Sequence, residues 1–110
     1  MTLNTDAVRA CYRAYETKDR GTLEAVLAED FHFSSPLDDH IDRAAYFERC
    51  WPNANRLKAF DLEQVVEQGD EVFVRYVCER AAGGRFRNVE VFRLKDGKIV
   101  EVDVYFGRDL

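Results

Sequence analysis

The 110 residues carry no excess of positive charge: 16 Lys and Arg stand against 21 Asp and Glu, a formal net charge of -5, with arginines and acids interspersed. Phosphate backbones are bound by basic stripes, so this balance excludes a nucleic-acid partner and reads as solubility. No Cys-x-x-Cys or His-x-x-x-His spacing occurs, which removes the common metal-ligand patterns. No apolar run approaches membrane-spanning length, and MTLNTDAVRA lacks the apolar centre of a signal peptide. Cysteine is scarce too: Cys11, Cys50 and Cys78 are odd in number, widely spaced and set among apolar neighbours, as reduced thiols are, rather than a disulfide frame. A cytoplasmic protein with no membrane contact is the expectation. Repeats, linkers and low-complexity segments are also missing, so residues 1–110 are expected to form one domain, with 46% hydrophobic residues to build its core.

What is present changes period partway along. Over residues 4–18, Ala7, Val8, Cys11, Tyr12, Ala14 and Tyr15 form the stripe of an amphipathic helix, with Thr5 as its N-cap and Asp6 at the positive end of its dipole. A second short helix is expected over residues 20–28, capped by Asp19 and facing inward through Leu23, Val26 and Leu27. In FHFSSP the residues alternate: Phe31, Phe33 and Ser35 share one face of a strand, His32 and Ser34 the other, and Pro36 stops it. A third helix is expected over residues 42–50, ended by Pro52.

From there the period is two. Strands are expected over residues 58–67, 71–80, 85–94 and 98–106, joined by QGD, AAGG and KDGK; Asp96-Gly97 is a tight-hairpin signal because both residues tolerate positive φ. Hairpins in series make an antiparallel meander with helices on one face, an α+β domain.

The two sheet faces can be sorted by alternation. Val100, Val102, Val104 and Phe106 should face the helices, as should Val72, Val74, Tyr76 and Cys78. In the third long strand Phe86, Asn88, Glu90, Phe92 and Leu94 fall on the inner face, and Arg87, Val89, Val91 and Arg93 on the outer. A carboxylate on an apolar face is costly unless hydrogen-bonded, paired or protonated. Glu90 is therefore either a cavity residue, a bulge residue turned to solvent, or the partner of an internal arginine such as Arg43. Phe73, Val77, Val89, Val91 and Tyr105 leave the outer face half apolar, a homodimer surface.

ETKDRGTLEAVLAEDFHFSSP, SPLDDHIDRAAYFERCWP and VEVFRLKDGKIVEVDVYFG, in this order over essentially the whole chain, resemble the nuclear transport factor two-like superfamily, which includes ketosteroid isomerase, scytalone dehydratase and SnoaL-like polyketide cyclases. The resemblance implies a cone-shaped α+β barrel, three N-terminal helices on a curved, mostly antiparallel sheet, with a cavity between them and pairing through the outer sheet face. It implies fold better than activity. Steroid isomerisation is disfavoured, because Ser35 stands before Pro36 where the isomerase has its base aspartate. The isomerase's acid position falls on Glu90, and its helix-one tyrosine on Cys11, or on Tyr12 with a one-residue shift.

His40, a few residues past Ser35, has an ordinary pKa suited to proton transfer and, projected as a helix with Ala44, Phe47 and Trp51, would point inward. Either His40 and Glu90 form a catalytic pair across the cavity, with Tyr12, Tyr15 or Tyr76 as hydroxyl donors, or His40 hydrogen-bonds Asp38 or Asp42 in a loop. Phe33, Tyr46, Phe47, Trp51 and Phe92 are core residues that in a hollow fold would also line the pocket, with Ser35 and Asn88 as polar contacts. The resulting expectation is an enclosed apolar cavity binding a small hydrophobic molecule. It would act without cofactor as an isomerase, dehydratase or cyclase, or serve as a non-catalytic ligand-binding or dimerisation module.

Overall fold

The structure, a computed structural model, describes residues 3–110. Helix α1 (Leu3–Thr17) presents the predicted stripe to the core, with Val8 and Ala14 almost inaccessible. Thr5 lies inside its first turn, because the helix already runs from Leu3; the proposed cap is thereby corrected. At its C-terminus Lys18 adopts a left-handed backbone (φ 60°), and the Asp19 N–H reaches back to the Ala14 carbonyl at 2.9 Å. Asp19 then starts helix α2 (Arg20–Val26), accepting from the Thr22 N–H at 3.2 Å and the Thr22 hydroxyl at 2.7 Å. One residue thus ends one helix and caps the next.

Strand β1 (Leu27–Ser35) follows at once, longer than the sequence pattern indicates, and turns at Pro36-Leu37 into β2 (Asp38–Asp42). This second strand is not expected from the sequence, which leaves the residues around His40 to a loop or to a helical projection. Its acids have low strand propensity, but the register His32 to Asp42 and Phe33 to Ile41 holds it on the sheet edge, where charge is tolerated because it discourages further pairing. Asp42 caps helix α3 (Arg43–Arg49) through the Ala45 N–H at 2.9 Å, and a 3-10 turn (Trp51–Arg56) leads into the meander.

The meander is β3 (Leu57–Gln68), β4 (Glu71–Arg80), β5 (Arg85–Lys95) and β6 (Lys98–Asp109), with Asp96 and Gly97 at positive φ in the last hairpin as predicted. The sheet order is β2-β1-β6-β5-β4-β3, antiparallel throughout except for β1 beside β6. The result is an α+β fold of three helices on a six-stranded mixed sheet. The core lies between the helices and the inner face, where Val72, Val74, Tyr76, Cys78, Phe92, Leu94, Val102 and Val104 are buried. On the outer face Glu63 bridges Arg75 at 3.3 Å and Arg87 at 2.8 Å, and Arg93 meets Glu101 at 3.2 Å, the cross-strand pairing that the alternating charges indicate. Among the described residues no helix is long and apolar enough to cross a membrane.

Candidate functional site

Strand β5 carries the centre of the site. Phe86, Asn88, Glu90 and Phe92 face inward at every second residue, as their alternation requires, and border a cavity of about 520 Å³. Its other walls include Cys11, Tyr12 and Tyr15 of α1, Phe31, Phe33 and Ser35 of β1, Tyr46 of α3, Phe60 of β3, Tyr76 of β4, and Val102 and Val104 of β6. The volume is in the range of small-molecule sites. Aromatic rings stiffen the wall: Tyr12 lies edge-on to Phe60 at 5.1 Å, Tyr76 at 5.3 Å and Phe92 at 5.8 Å. The expected enclosure is corrected at one end. Leu37 and Phe106, 76% and 54% exposed, form part of the wall with Arg108 and Asp109, so the cavity opens to solvent there.

The Tyr12 hydroxyl donates to Glu90 Oε1 at 2.6 Å. Burial pushes its carboxyl from the ordinary 4.5 up to about 7, against the opposing pull of hydrogen bonds from Tyr12 and Tyr76, and no basic side chain contributes. The residue is half-buried and borders the cavity, so a molecule in the cavity can reach its carboxyl. Burial and the Glu90 charge raise both tyrosines well above their usual range, so they remain hydroxyl donors.

The direction of the Tyr76 bond follows from a backbone group. The Gly107 N–H can only donate, and it meets Asn88 Oδ1 at 3.0 Å. That contact turns the Asn88 amide nitrogen toward the Tyr76 oxygen, 3.2 Å away. With its oxygen accepting from Asn88, the Tyr76 hydroxyl hydrogen is free to point at Glu90. Gly107 sits where the register slips between Arg87 and Asn88, and a Cβ there would lie 2.0 Å from the Arg87 carbonyl oxygen. The bulge and the polar chain therefore depend on the same glycine. A glycine inside a strand pattern is the sequence signal for such a bulge, though only the pairing reveals its link to Glu90.

Most of the expected lining residues converge on this cavity: Tyr12, Tyr15, Phe33, Ser35, Tyr46, Tyr76, Asn88, Glu90 and Phe92. Tyr15 and Tyr46 share a hydroxyl contact of 2.6 Å in its wall. Ser35 Oγ also accepts from the Leu37 N–H at 3.0 Å and so holds the β1–β2 turn.

His40, Phe47 and Trp51 are elsewhere. His40 is on β2 with φ 49°, its side chain 66% exposed, Nδ1 2.7 Å from Asp39 and Nε2 3.5 Å from Glu101 on the outer face. The hydrogen bond to Asp39 raises its pKa above the usual histidine value. It does not meet Glu90, because the chain there is a strand rather than the projected helix. Phe47 is covered by two guanidinium groups, Arg20 at 4.5 Å and Arg43 at 5.2 Å from its ring centre, so it packs away from the cavity. Arg43 also donates to the Glu24 carbonyl at 2.7 Å, which removes it as a partner for Glu90. Trp51 stands behind Tyr15, edge-on at 5.1 Å, and supports that wall rather than lining it.

Residues 8–102 match the model of the SnoaL-like domain family. Among solved structures, a protein of Kribbella flavida superposes with a TM-score of 0.87 at 18% identity, covering 97% of this chain and 88% of that one. An LEH-like epoxide hydrolase of M. tuberculosis gives 0.79 at 23% identity, over 96% of this chain and 84% of the other. IdmH of Streptomyces antibioticus, a proposed polyketide cyclase, gives 0.75 at 23% identity, over 92% and 89%. No curated protein matches the chain.

Proposed function

Because the chain belongs to the SnoaL-like domain family of the nuclear transport factor two-like superfamily, we propose that its cavity binds a small, mainly apolar molecule and that Glu90 moves a proton on it without a cofactor. The sheet and helices would close around the ligand as a cone, the whole chain acting as one domain. The observation that carries this reading is a carboxyl with its pKa near 7, hydrogen-bonded by Tyr12 and facing an apolar space. A base is most useful when its pKa is close to the working pH, and burial supplies that here. Tyr12 and Tyr76 orient the carboxylate and stabilise it in the charged state that accepts a carbon-bound proton. Isomerisation, dehydration and aldol-type cyclisation share this step. The neighbours described as an epoxide hydrolase and a proposed polyketide cyclase are consistent with small-molecule chemistry on this fold.

The step is testable without the natural substrate. Deuterium uptake beside the carbonyl of a flat ketone such as 2-tetralone, followed by NMR in D2O, is expected to be accelerated by the protein. Glu90→Gln should lose that acceleration by about 100-fold or more, while His40→Ala keeps it. Equal rates in the parent and Glu90→Gln would remove Glu90 from catalysis. Binding of the ketone without any exchange would favour the second reading, a ligand-binding module without turnover. One observation already leans that way: the histidine expected to partner Glu90 lies outside the cavity, so the two do not form a proton-transfer pair.

The outer sheet face is proposed as a homodimer surface. Phe73 and Tyr105, 36% and 55% exposed, flank Val91 in a shallow groove bordered by Arg93, Glu101 and Asp103. Val91→Lys would place a charge at the centre of that face and is expected to halve the sedimentation mass. An unaltered mass would count against pairing through this face. A reducing cytoplasm suits the three free thiols.

A further inference from the structure

The open end of the cavity is cationic, although the chain as a whole is acidic. Arg56, Arg80 and Arg108 all border it; of the cavity's two aspartates, Asp109 is paired with Arg80 and Asp38 with Arg49 at 2.7 Å. The topology brings them together: Arg56 precedes β3, Arg80 ends β4 and Arg108 lies near the end of β6. The Arg56 carbonyl accepts from the Ala81 N–H at 2.9 Å, and Arg80 holds Asp109 at 2.8 Å, so the three segments meet at one rim. Arg80 has a structural task, since it also lies 4.8 Å above the Phe86 ring. Arg56 and Arg108 have no ion pair or side-chain hydrogen bond among the described residues, and both are exposed.

We infer that this rim holds the anionic head of an amphipathic ligand whose apolar body extends inward to Glu90. The inference rests on the cavity being a ligand site, as proposed above, and adds the class of ligand: a flat apolar molecule with one carboxylate at its outer end. Guanidinium groups match a carboxylate with paired N–H donors, and two that lack protein partners gain most from one. The apolar part would pass Phe33, Phe60 and Val104. The spacing follows from β5, where Phe86 lies under the Arg80 guanidinium and Glu90 is four residues further along the same face. At strand rise this is roughly 13 Å. The ligand's anionic group is therefore far from the carbon that faces Glu90, so the head can stay in the solvated mouth while the reacting end is dry. That arrangement also keeps a second negative charge away from Glu90, which would otherwise raise its pKa further.

Biphenyl-4-carboxylate and its neutral analogue biphenyl-4-carboxamide have the same body and differ at the head. Titrated at pH 8 by calorimetry, the carboxylate is expected to bind the intact protein about tenfold more tightly than the amide. The preference should shrink in high salt. In the double variant Arg56→Gln, Arg108→Gln it should fall to within about twofold, with amide affinity unchanged. Both substitutions are at exposed positions and leave the Arg80–Asp109 pair in place. Equal binding of the two probes by the parent protein, or a preference that survives the double variant, overturns the anionic-head assignment while the cavity reading stands. Binding of neither probe overturns both.

Discussion

Glu90→Gln is expected to stabilise the folded protein by about 2 kcal/mol at pH 8 and to change its stability little at pH 4. The sign follows from proton counting. Glu90 has an ordinary pKa of 4.5 and a folded value of about 7. Between those values the folded state binds more protons than the unfolded chain, so its stability falls as pH rises. The contribution is fully present below pH 4.5, declines through the interval and is lost above about 7. At about 1.4 kcal/mol per tenfold displacement, the whole interval is worth roughly 3 kcal/mol. Glutamine removes the ionisation while still accepting from Tyr12. Its amide N–H groups need an acceptor that the carboxylate did not, which is why the expected gain is smaller than the full interval.

Urea unfolding of parent and variant at pH 4, 5, 6, 7 and 8 measures this directly, because other titrating groups cancel in the difference. The two profiles should converge at the acid end and diverge above pH 5. Parallel profiles would mean that Glu90 titrates normally, and the case for it as a poised base would lose its physical basis. A stabilised but inactive variant is what a functional carboxyl in an apolar wall should give, since its charge is retained at a cost in stability.

The features that were readable from the sequence are those set by periodicity. Alternation in NVEVFRL assigned Glu90 to the inner face between Asn88 and Phe92, and the same rule placed Tyr76 opposite Arg75. The stripe containing Tyr12 and Tyr15 likewise put both hydroxyls over the sheet. Errors arose where contacts between different segments decide the outcome. DDHID has the composition of a loop and becomes a strand only because β1 offers it an edge, so a helical projection through His40 had no physical basis. Phe47 looked like a pocket aromatic, but Arg20 and Arg43 cover its ring, one from another helix. Periodicity says which side of an element is buried; it does not say whether the buried side meets atoms or empty space. The cavity rim was unreadable for the same reason, since Arg56, Arg80 and Arg108 come from three separate segments, the 3-10 turn, β4 and β6.

Gly107→Ala is expected to destabilise the protein by about 3 kcal/mol and to move Glu90's pKa further upward. The new methyl would start 2.0 Å from the Arg87 carbonyl oxygen and 3.0 Å from its carbon, both backbone atoms that cannot rotate away. Strand β6 must separate from β5 at the bulge, which breaks the Gly107 N–H contact with Asn88 Oδ1. Asn88 is buried, so its amide is then free to flip with no solvent to satisfy it. A flipped amide presents its oxygen to Tyr76, the Tyr76 hydroxyl donates there instead, and Glu90 loses the opposing pull of Tyr76 on its pKa. Gly21→Ala is the control, because its methyl would lie 3.5 Å from the nearest atom, an Asp19 carboxylate oxygen, within helix α2. There the same chemical change is expected to be neutral or to stabilise by up to about 1 kcal/mol through helix propensity. The denaturation midpoint should therefore fall in Gly107→Ala and hold or rise in Gly21→Ala, and a carboxyl titration followed by NMR should show Glu90 displaced only in Gly107→Ala. If Gly107→Ala unfolds the chain, Tyr76→Phe removes the hydroxyl at the end of the same polar chain without the backbone clash and should raise the Glu90 pKa alone. An unshifted Glu90 in that variant would mean that Tyr76 does not tune the site.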